Sequence, residues 1–330
     1  MEIMQIGLGF FVSDVSDTVA LIERAERAGV PAVWAAMPVT SYDTPTLFAA
    51  ALARTERIVV GTAIVPAFTR HPVALLSQAA TLEALAPGRL RLGVGTGNLV
   101  VTAAALGAPV SQPLARVREY VSILRAGLRE GVVRHEGRFY TVAADLPAAP
   151  ATPVVMAALG PKAFEAAGAV ADAAMSWHCP PAYLDEVARP ALALGAASAG
   201  RDVPPIVQQV AVAVTEDPAA AREWARPHLV PFVNSPVYAS MFAAAGLPQG
   251  GDGSVTDDLL DALVISGSEE SITDELARRA TVDEVFATHI PGPDPQGEMD
   301  ILLRALATVA AGSEPLIPNR PVAAPPKSTA

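Results

Sequence analysis

Three short stretches of this 330-residue chain carry residue types and spacings that could do chemistry. The first, RLRLGVGTGNLV at residues 89–100, places glycines at 93, 95 and 97. Glycines so close together let backbone N–H groups approach a phosphate, but the dinucleotide fingerprint is G-x-G-x-x-G with an acidic residue about 20 positions further on. Here the third glycine comes one position early, Asn98 stands where it should be, and the region near Ala115 has no strand-ending carboxylate. The other reading is the end of a buried strand that needs small residues. The second stretch, ALGPKAFEAAG, sets Gly160 directly before Pro161. Proline suits the first position of a helix, whose free N–H groups and dipole favour an anion. Lys162 adds charge there, although Gly160 and Pro161 equally well turn the chain into its helix. The third, SWHCP, offers His178 beside Trp177 and Cys179. An imidazole can meet a substrate and exchange protons near neutral pH, or hold a structural hydrogen bond. Cys179 has no nameable basic partner and is a poor nucleophile. As the single cysteine it excludes an internal disulfide and a cysteine-built zinc cage, and no metal site is expected.

Composition limits the architectures that can hold these stretches. With 51% hydrophobic and only 5% aromatic residues, the chain reads as helix-rich with small-residue packing. A formal net charge of -11 argues against nucleic acid and anionic membranes as partners. The start, Met1-Glu2, lacks a basic n-region, so no secretory signal and a cytoplasmic location are expected. The uncharged run 92–110 contains four glycines, Asn98 and Pro109, which makes it a strand, loop and small helix rather than a membrane span.

Apolar strand-like runs lie at 3–11, 32–36, 58–66, 90–96, 154–159, 173–177, 206–214 and 285–290. Amphipathic segments separate them, such as 17–28, with an Asp cap and a stop at Gly29, and 72–85, stopped by Pro87-Gly88. Strands that stay apolar without alternating are buried on both faces, and eight such βα units predict an α/β fold, a closed (β/α)8 TIM barrel with insertions at the C-terminal face. One domain is expected over 1–313. It carries a hairpin-like insertion at about 131–153 and an irregular one at about 227–262 that could cover the mouth; 314–330 has the Pro/Ala-rich composition of a tail.

Barrel chemistry sits at the C-terminal strand ends. That rule selects Phe10, Phe11, Met37, residues 65–71, 96–98, 160–162 and 177–179. Tyr42 and Asp43 follow the second strand and either serve a substrate or cap the next helix. His71, before Pro72, reads as structural, as do Arg70 and Arg89 beside a helix start and a strand start.

The segments IVVGTAIVPAFTRHPVALLSQAATLEALAPGRLRLGVGTGN and PVVMAALGPKAFEAAGAVADAAMSW, in this order and spacing, resemble strands three to six of the luciferase-like monooxygenase superfamily. Within it the chain is most similar to the coenzyme F420-dependent oxidoreductases. The resemblance, over roughly residues 3–311, implies hydride transfer between coenzyme F420 and an organic substrate. It also leaves open a reduced-FMN-dependent monooxygenase, and a barrel that only binds a ligand. It implies a cis peptide bond at Ala63-Ile64 under the cofactor ring, with Val65 and Pro66 flanking the ring. Thr96, Gly97 and Asn98 would meet its polar edge, the glycines leaving room for a flat tricycle. Leu159, Gly160 and Pro161, with Ala174 and Met175, would cradle the phosphate. Many F420-dependent relatives end strand two with Asp-His, where this chain has Met37-Pro38, and some carry a glutamate in place of Asn98. A proton would then come from Tyr42, His71, His178 or solvent, and His178 and Tyr42 are the catalytic candidates.

Phe10, Phe11, Met37, Phe68 and Trp177, joined by Phe232, Tyr238 and Phe242 of the second insertion, make an apolar rim. A hydrophobic small-molecule substrate of moderate size is the expectation. Alanine-rich outer helices suggest a homodimer.

Overall fold

The computed structural model describes residues 6–280 and 284–312. Eight parallel strands form its centre: β1 (Ile6–Phe11), β2 (Ala32–Ala36), β3 (Val59–Thr62), β4 (Leu90–Gly95), β5 (Val154–Ala157), β6 (Ala173–Ser176), β7 (Ile206–Ala213) and β8 (Glu284–Ile290). Each pairs with its neighbour in the chain, and β8 returns to β1 through Ile6 opposite Val285. The sheet is therefore a closed ring with helices outside, the expected (β/α)8 barrel. A short strand, Val264–Ser266, adds to β7. The expected strand at 58–66 is divided, because the cis bond between Ala63 and Ile64 separates β3 from Val65–Pro66, which pairs with the upper half of β4. Residues 3–5, part of the expected first strand, and the tail at 314–330 lie outside the described residues.

Both faces of the strands are buried, in two separate cores. Ile6, Leu8, Val33, Val60, Leu92, Val94 and Val285 pack outward against the helices. Trp34, Ala63, Val155, Ala173, Met175, Val207 and Phe286 fill the inside of the ring. Trp34 and Phe286 stack there with ring centroids 5.6 Å apart, and Gly9 and Gly61 leave them the room. Two-sided burial explains the unbroken apolar runs.

Local signals set most helix ends. The first helix, Val15–Ala28, begins earlier than the expected residue 17, because Asp14 rather than Asp17 is its cap: Asp14 Oδ1 accepts from the Asp17 amide at 2.9 Å. It ends at Gly29 with φ 92°. The next examples run Thr44–Leu52, capped by Asp43, and Pro72–Leu85, where His71 Nδ1 accepts from the Val73 amide at 3.3 Å. Residues 92–110 hold β4, a turn and the helix Leu99–Leu106, and no helix among the described residues is long and apolar enough to cross a membrane.

The insertion at 131–153 contains an antiparallel hairpin, Val132–Glu136 with Thr141–Asp145, lying along the helix Pro113–Glu130. Glu119 of that helix accepts from the Phe139 and Tyr140 amides. The insertion at 227–262 is not irregular. It holds the end of the helix Pro218–Val233, then Pro236–Ala244 and Asp257–Leu263. Pro227 and Pro231 sit inside the first of these, four residues apart on its exposed face, so the carbonyls they leave unbonded can turn to water. Ala221, Ala225, Leu229 and Val233 form its buried stripe.

Replacing Gly93 by alanine tests the inner packing, since a Cβ there would stand 1.9 Å from the Thr62 carbonyl oxygen. Gly93→Ala is expected to lower the unfolding free energy by about 3 kcal/mol or more. Gly160→Ala, where a Cβ meets nothing within 4 Å, is expected to change it by less than about 0.5 kcal/mol. Denaturant unfolding followed by circular dichroism measures both.

Candidate active site

The exit of β4 shows what its glycines are for. A Cβ on Gly93 would collide with the Thr62 backbone, and one on Gly95 would lie 2.7 Å from the Ala157 Cβ. The Thr62 hydroxyl donates to the Gly93 carbonyl oxygen at 2.7 Å. Both glycines serve strand packing inside the ring, and their space is filled by the protein rather than left for a flat ligand. Gly97 differs. It has φ 61°, is exposed, and turns the chain into the helix Leu99–Leu106. Asn98 caps that helix, its Oδ1 accepting from the Val100 and Val101 amides at 3.0 and 3.2 Å, while the Thr96 hydroxyl donates to the Gly97 carbonyl at 2.9 Å.

Beside this exit, Ala63 and Ile64 face the inner core across their cis bond. Val65 is fully buried in the outer core, so only its backbone can meet a ligand. The same distinction separates the two expected phosphate neighbours on β6: Met175 belongs to the inner core, and Ala174 is buried on the helix side. At the exit of β5, Leu159 is half-buried and Gly160 opens onto free space. No side chain caps the helix Pro161–Val170. Pro161 has no N–H and the Ala163 amide donates to the Gly160 carbonyl at 2.9 Å, so the Lys162 amide is the one available to an anion.

A row of aromatic rings connects the inside of the barrel to the mouth. Above the Trp34–Phe286 stack, Trp177 lies 5.7 Å from Phe286, and Phe11 meets Trp177 edge-on at 5.6 Å. Phe11 is 53% exposed, so this edge is open. Phe10, Met37 and Phe68 pack against the outer core and contribute less to the rim than expected. Behind the mouth, His178 stands edge-on to Phe232 at 4.5 Å, followed by Tyr238 at 5.1 Å from Phe232 and Phe242 at 6.0 Å from Tyr238. The insertion aromatics therefore back His178 rather than line the entrance.

His178 is buried, and its Nδ1 has no hydrogen-bond partner. Burial, reinforced by the charge of nearby His228, pushes its pKa down to about 3. Its backbone sits at φ 48°, and its amide donates to Gln209 Oε1 at 2.9 Å. Gln209 Nε2 in turn donates to Thr288 Oγ1 at 2.6 Å. Tyr42, half exposed on the loop after β2, has no hydrogen-bond partner among the described residues and touches none of these rings. Its neighbour Asp43 caps a helix and pairs with Arg70 at 2.7 Å. Arg89 donates to the carbonyls of Thr55 and Ile58. Asp43 and His71 are thus engaged as helix caps, Arg70 with Asp43, and Arg89 with backbone carbonyls.

Two features escaped the sequence reading. Gln209 and Thr288 are buried polar residues inside the barrel, and the only sequence sign was a Gln-Gln pair within the apolar run IVQQVAVAV. The other is a cleft of about 810 Å³ between the helix Pro113–Glu130, the hairpin and the length of the helix Pro161–Val170 from Lys162 to Ala169, with Glu119 and Glu165 on its wall. Arg118, Arg138 and Lys162 line it, and none of the three has a carboxylate partner among the described residues. Elsewhere arginines are commonly tied to acids, as in Arg24–Asp300, Arg125–Asp172 and Arg222–Asp261. No group of three or more His, Cys, Asp or Glu among the described residues is placed to hold a metal ion.

Known proteins resemble this chain in sequence and in fold. An F420-dependent glucose-6-phosphate dehydrogenase of Nocardia farcinica is 36% identical over 180 residues, 51% of this chain and 53% of that one, so the chain spans about half the length of the curated relatives it matches first. An uncharacterized protein of Mycobacterium bovis is 30% identical over 295 residues, 79% of this chain and 86% of that one. The structure of an F420-dependent secondary alcohol dehydrogenase in complex with an F420-acetone adduct superposes with a TM-score of 0.77 at 25% identity, covering 94% of this chain and 99% of that one. The family model described as luciferase-like monooxygenase matches residues 5–283, and the chain belongs to that family.

Proposed function

We propose that this protein transfers a hydride between coenzyme F420 and an uncharged, apolar organic substrate at the barrel mouth. The observation that carries the choice of cofactor is the cleft where Arg118, Arg138 and Lys162 stand without carboxylate partners, alongside Glu119 and Glu165, Lys162 being the second residue of the uncapped helix Pro161–Val170. A helix start suits the phosphate of either F420 or FMN. Only F420 continues beyond its phosphate into an oligoglutamate chain, and Arg118, Arg138 and Lys162 are the charges that would hold it in a protein otherwise strongly acidic. When bound, F420 supplies hydride donation and acceptance; the protein supplies position and electrostatics.

Ala63 and Ile64, Gly97 and the backbone of Val65 would support the ring, and Leu159 to Pro161 the phosphate. Phe11 and Trp177 present an aromatic face to the substrate and keep water from it. With a pKa of about 3, His178 is neutral at physiological pH. It is too weak a base, and too seldom protonated, to serve as the proton donor. It stands as a neutral ring behind the mouth, packed against Phe232. The proton that accompanies the hydride passes at the open edge, to solvent or to Tyr42. The relative named for glucose 6-phosphate does not set the substrate here, because the mouth rings Phe11 and Trp177 are apolar.

Titration of the purified protein with F420 and with FMN tests the assignment. F420 is expected to bind, and Lys162→Glu and Arg118→Glu are each expected to weaken it about tenfold while changing FMN binding less than about twofold. Equal losses for both cofactors would show that the cleft does not read the tail, and binding of neither would leave a barrel without redox chemistry.

His178 also gives a pH signature. Its folded pKa lies below its unfolded value of 6.5, so the unfolded state binds more protons between pH 6.5 and about 3, and stability falls as pH falls through that window. Denaturant unfolding of the wild type is expected to lose up to about 1.4 kcal/mol per pH unit there from this group. His178→Gln is expected to show a correspondingly shallower slope.

A further inference from the structure

Trp177 and His178 are consecutive, and their rings meet edge-on at 5.8 Å. Beyond that contact Trp177 packs on Phe11 and Phe286 in the mouth, and His178 on Phe232 of the helix Pro218–Val233. The backbone at His178 is left-handed, φ 48°, which an L residue seldom adopts. The peptide between the two rings leaves the barrel ladder at this point, so its N–H needs another acceptor.

That acceptor is a side chain of the neighbouring strand β7, one residue beyond Gln208, which pairs with Ser176 of β6. The Thr288 hydroxyl donates to the Val210 carbonyl at 3.2 Å. Its oxygen is then free to accept from Gln209 Nε2 at 2.6 Å, which directs Gln209 Oε1 to the His178 amide at 2.9 Å. Gln209 and Thr288 are both buried, at 1% and 8% exposure, so water cannot substitute for either bond. Because the His178 backbone N–H can only donate, Gln209 must turn its Oε1 to it, which leaves Nε2 to donate to Thr288 and fixes the glutamine amide.

We infer that Gln209 is a positioning residue, which fixes the Trp177–His178 turn through its side-chain amide and thereby sets the aromatic wall that meets the substrate. Gln209 itself touches no substrate. The effect on catalysis rests on the mouth being the reaction site, as proposed above, whereas the hold on the turn does not.

Three variants separate these layers. Gln209→Met keeps the length of the side chain and removes both hydrogen bonds. Gln209→Glu, protonated in this buried setting, keeps a carbonyl for the His178 amide. Thr288→Val removes the far anchor and replaces Gln209→Met should that variant not fold. In the protein without cofactor, hydrogen–deuterium exchange of the His178 amide is expected to accelerate at least about tenfold in Gln209→Met, the loss of one buried hydrogen bond. The indole N–H resonance of Trp177 is expected to shift with it, and both readouts to return toward wild type in Gln209→Glu. With reduced F420 and cyclohexanone as the probe, KM is expected to rise about tenfold in Gln209→Met while kcat changes less than about threefold.

Unchanged exchange and an unchanged indole resonance in Gln209→Met would overturn the inference. So would changes in both with KM and kcat left alone, since the turn would then be no part of the substrate wall. A wild-type protein that binds no F420 sinks the proposed function instead, and the exchange and resonance measurements still decide whether Gln209 holds the turn.

Discussion

Closure of eight parallel strands into a ring is the constraint from which the site follows. A closed ring leaves no sheet edge, and every strand must send alternate side chains into a space that only the protein can fill. Here Trp34 and Phe286 fill it, facing glycines on neighbouring strands. With the interior occupied, a ligand can bind only where strands end, and the loops and helix starts at those exits carry the chemistry. Trp177 and Phe11 continue the aromatic packing past the last inner layer into the mouth. The apolar character of the site is therefore the upper end of the core rather than a separate device.

Several of the polar groups in this apolar environment are committed to partners within the protein. Gln209 and Thr288 spend their hydrogen bonds on the backbone at His178 and Val210. Asn98 spends its carbonyl on a helix cap, and Asp43 and Arg70 on each other. The imidazole of His178 keeps a nitrogen without a partner, because burial among Trp177 and Phe232 removes water as well as protein donors. A buried group in that state is neutral. Outside the mouth, the charge pattern is the reverse. In an acidic molecule with many paired arginines, unpaired cations gather around one cleft, on two helices and a hairpin tip that are distant in sequence.

The barrel was legible in the chain itself, since two-sided burial imposes unbroken apolar runs and caps such as His71 and Gly29 act within a few residues. The candidate exits at Gly97, Gly160 and Trp177 followed from the same pattern, because a strand end is a local event. Misreadings arose where local chemistry had two solutions. Asp14 and Asp17 both suit a cap, and the prolines at 227 and 231 break a helix unless they share its exposed face. Gly93 and Gly95 looked like room for a ligand, although their neighbours across the ring, Thr62 and Ala157, use that room.

What the amino-acid order settled, then, is the periodic part of this protein: which segments are strands, which are helices, and which ends face the mouth. The folded chain alone shows which of two adjacent residues points inward, as with Met175 against Ala174, and which distant groups meet, as Gln209 meets His178. Local propensity acts over a turn or two of chain, whereas facing direction and long-range pairing are set by ring closure, which brings residues far apart in sequence to hydrogen-bonding distance.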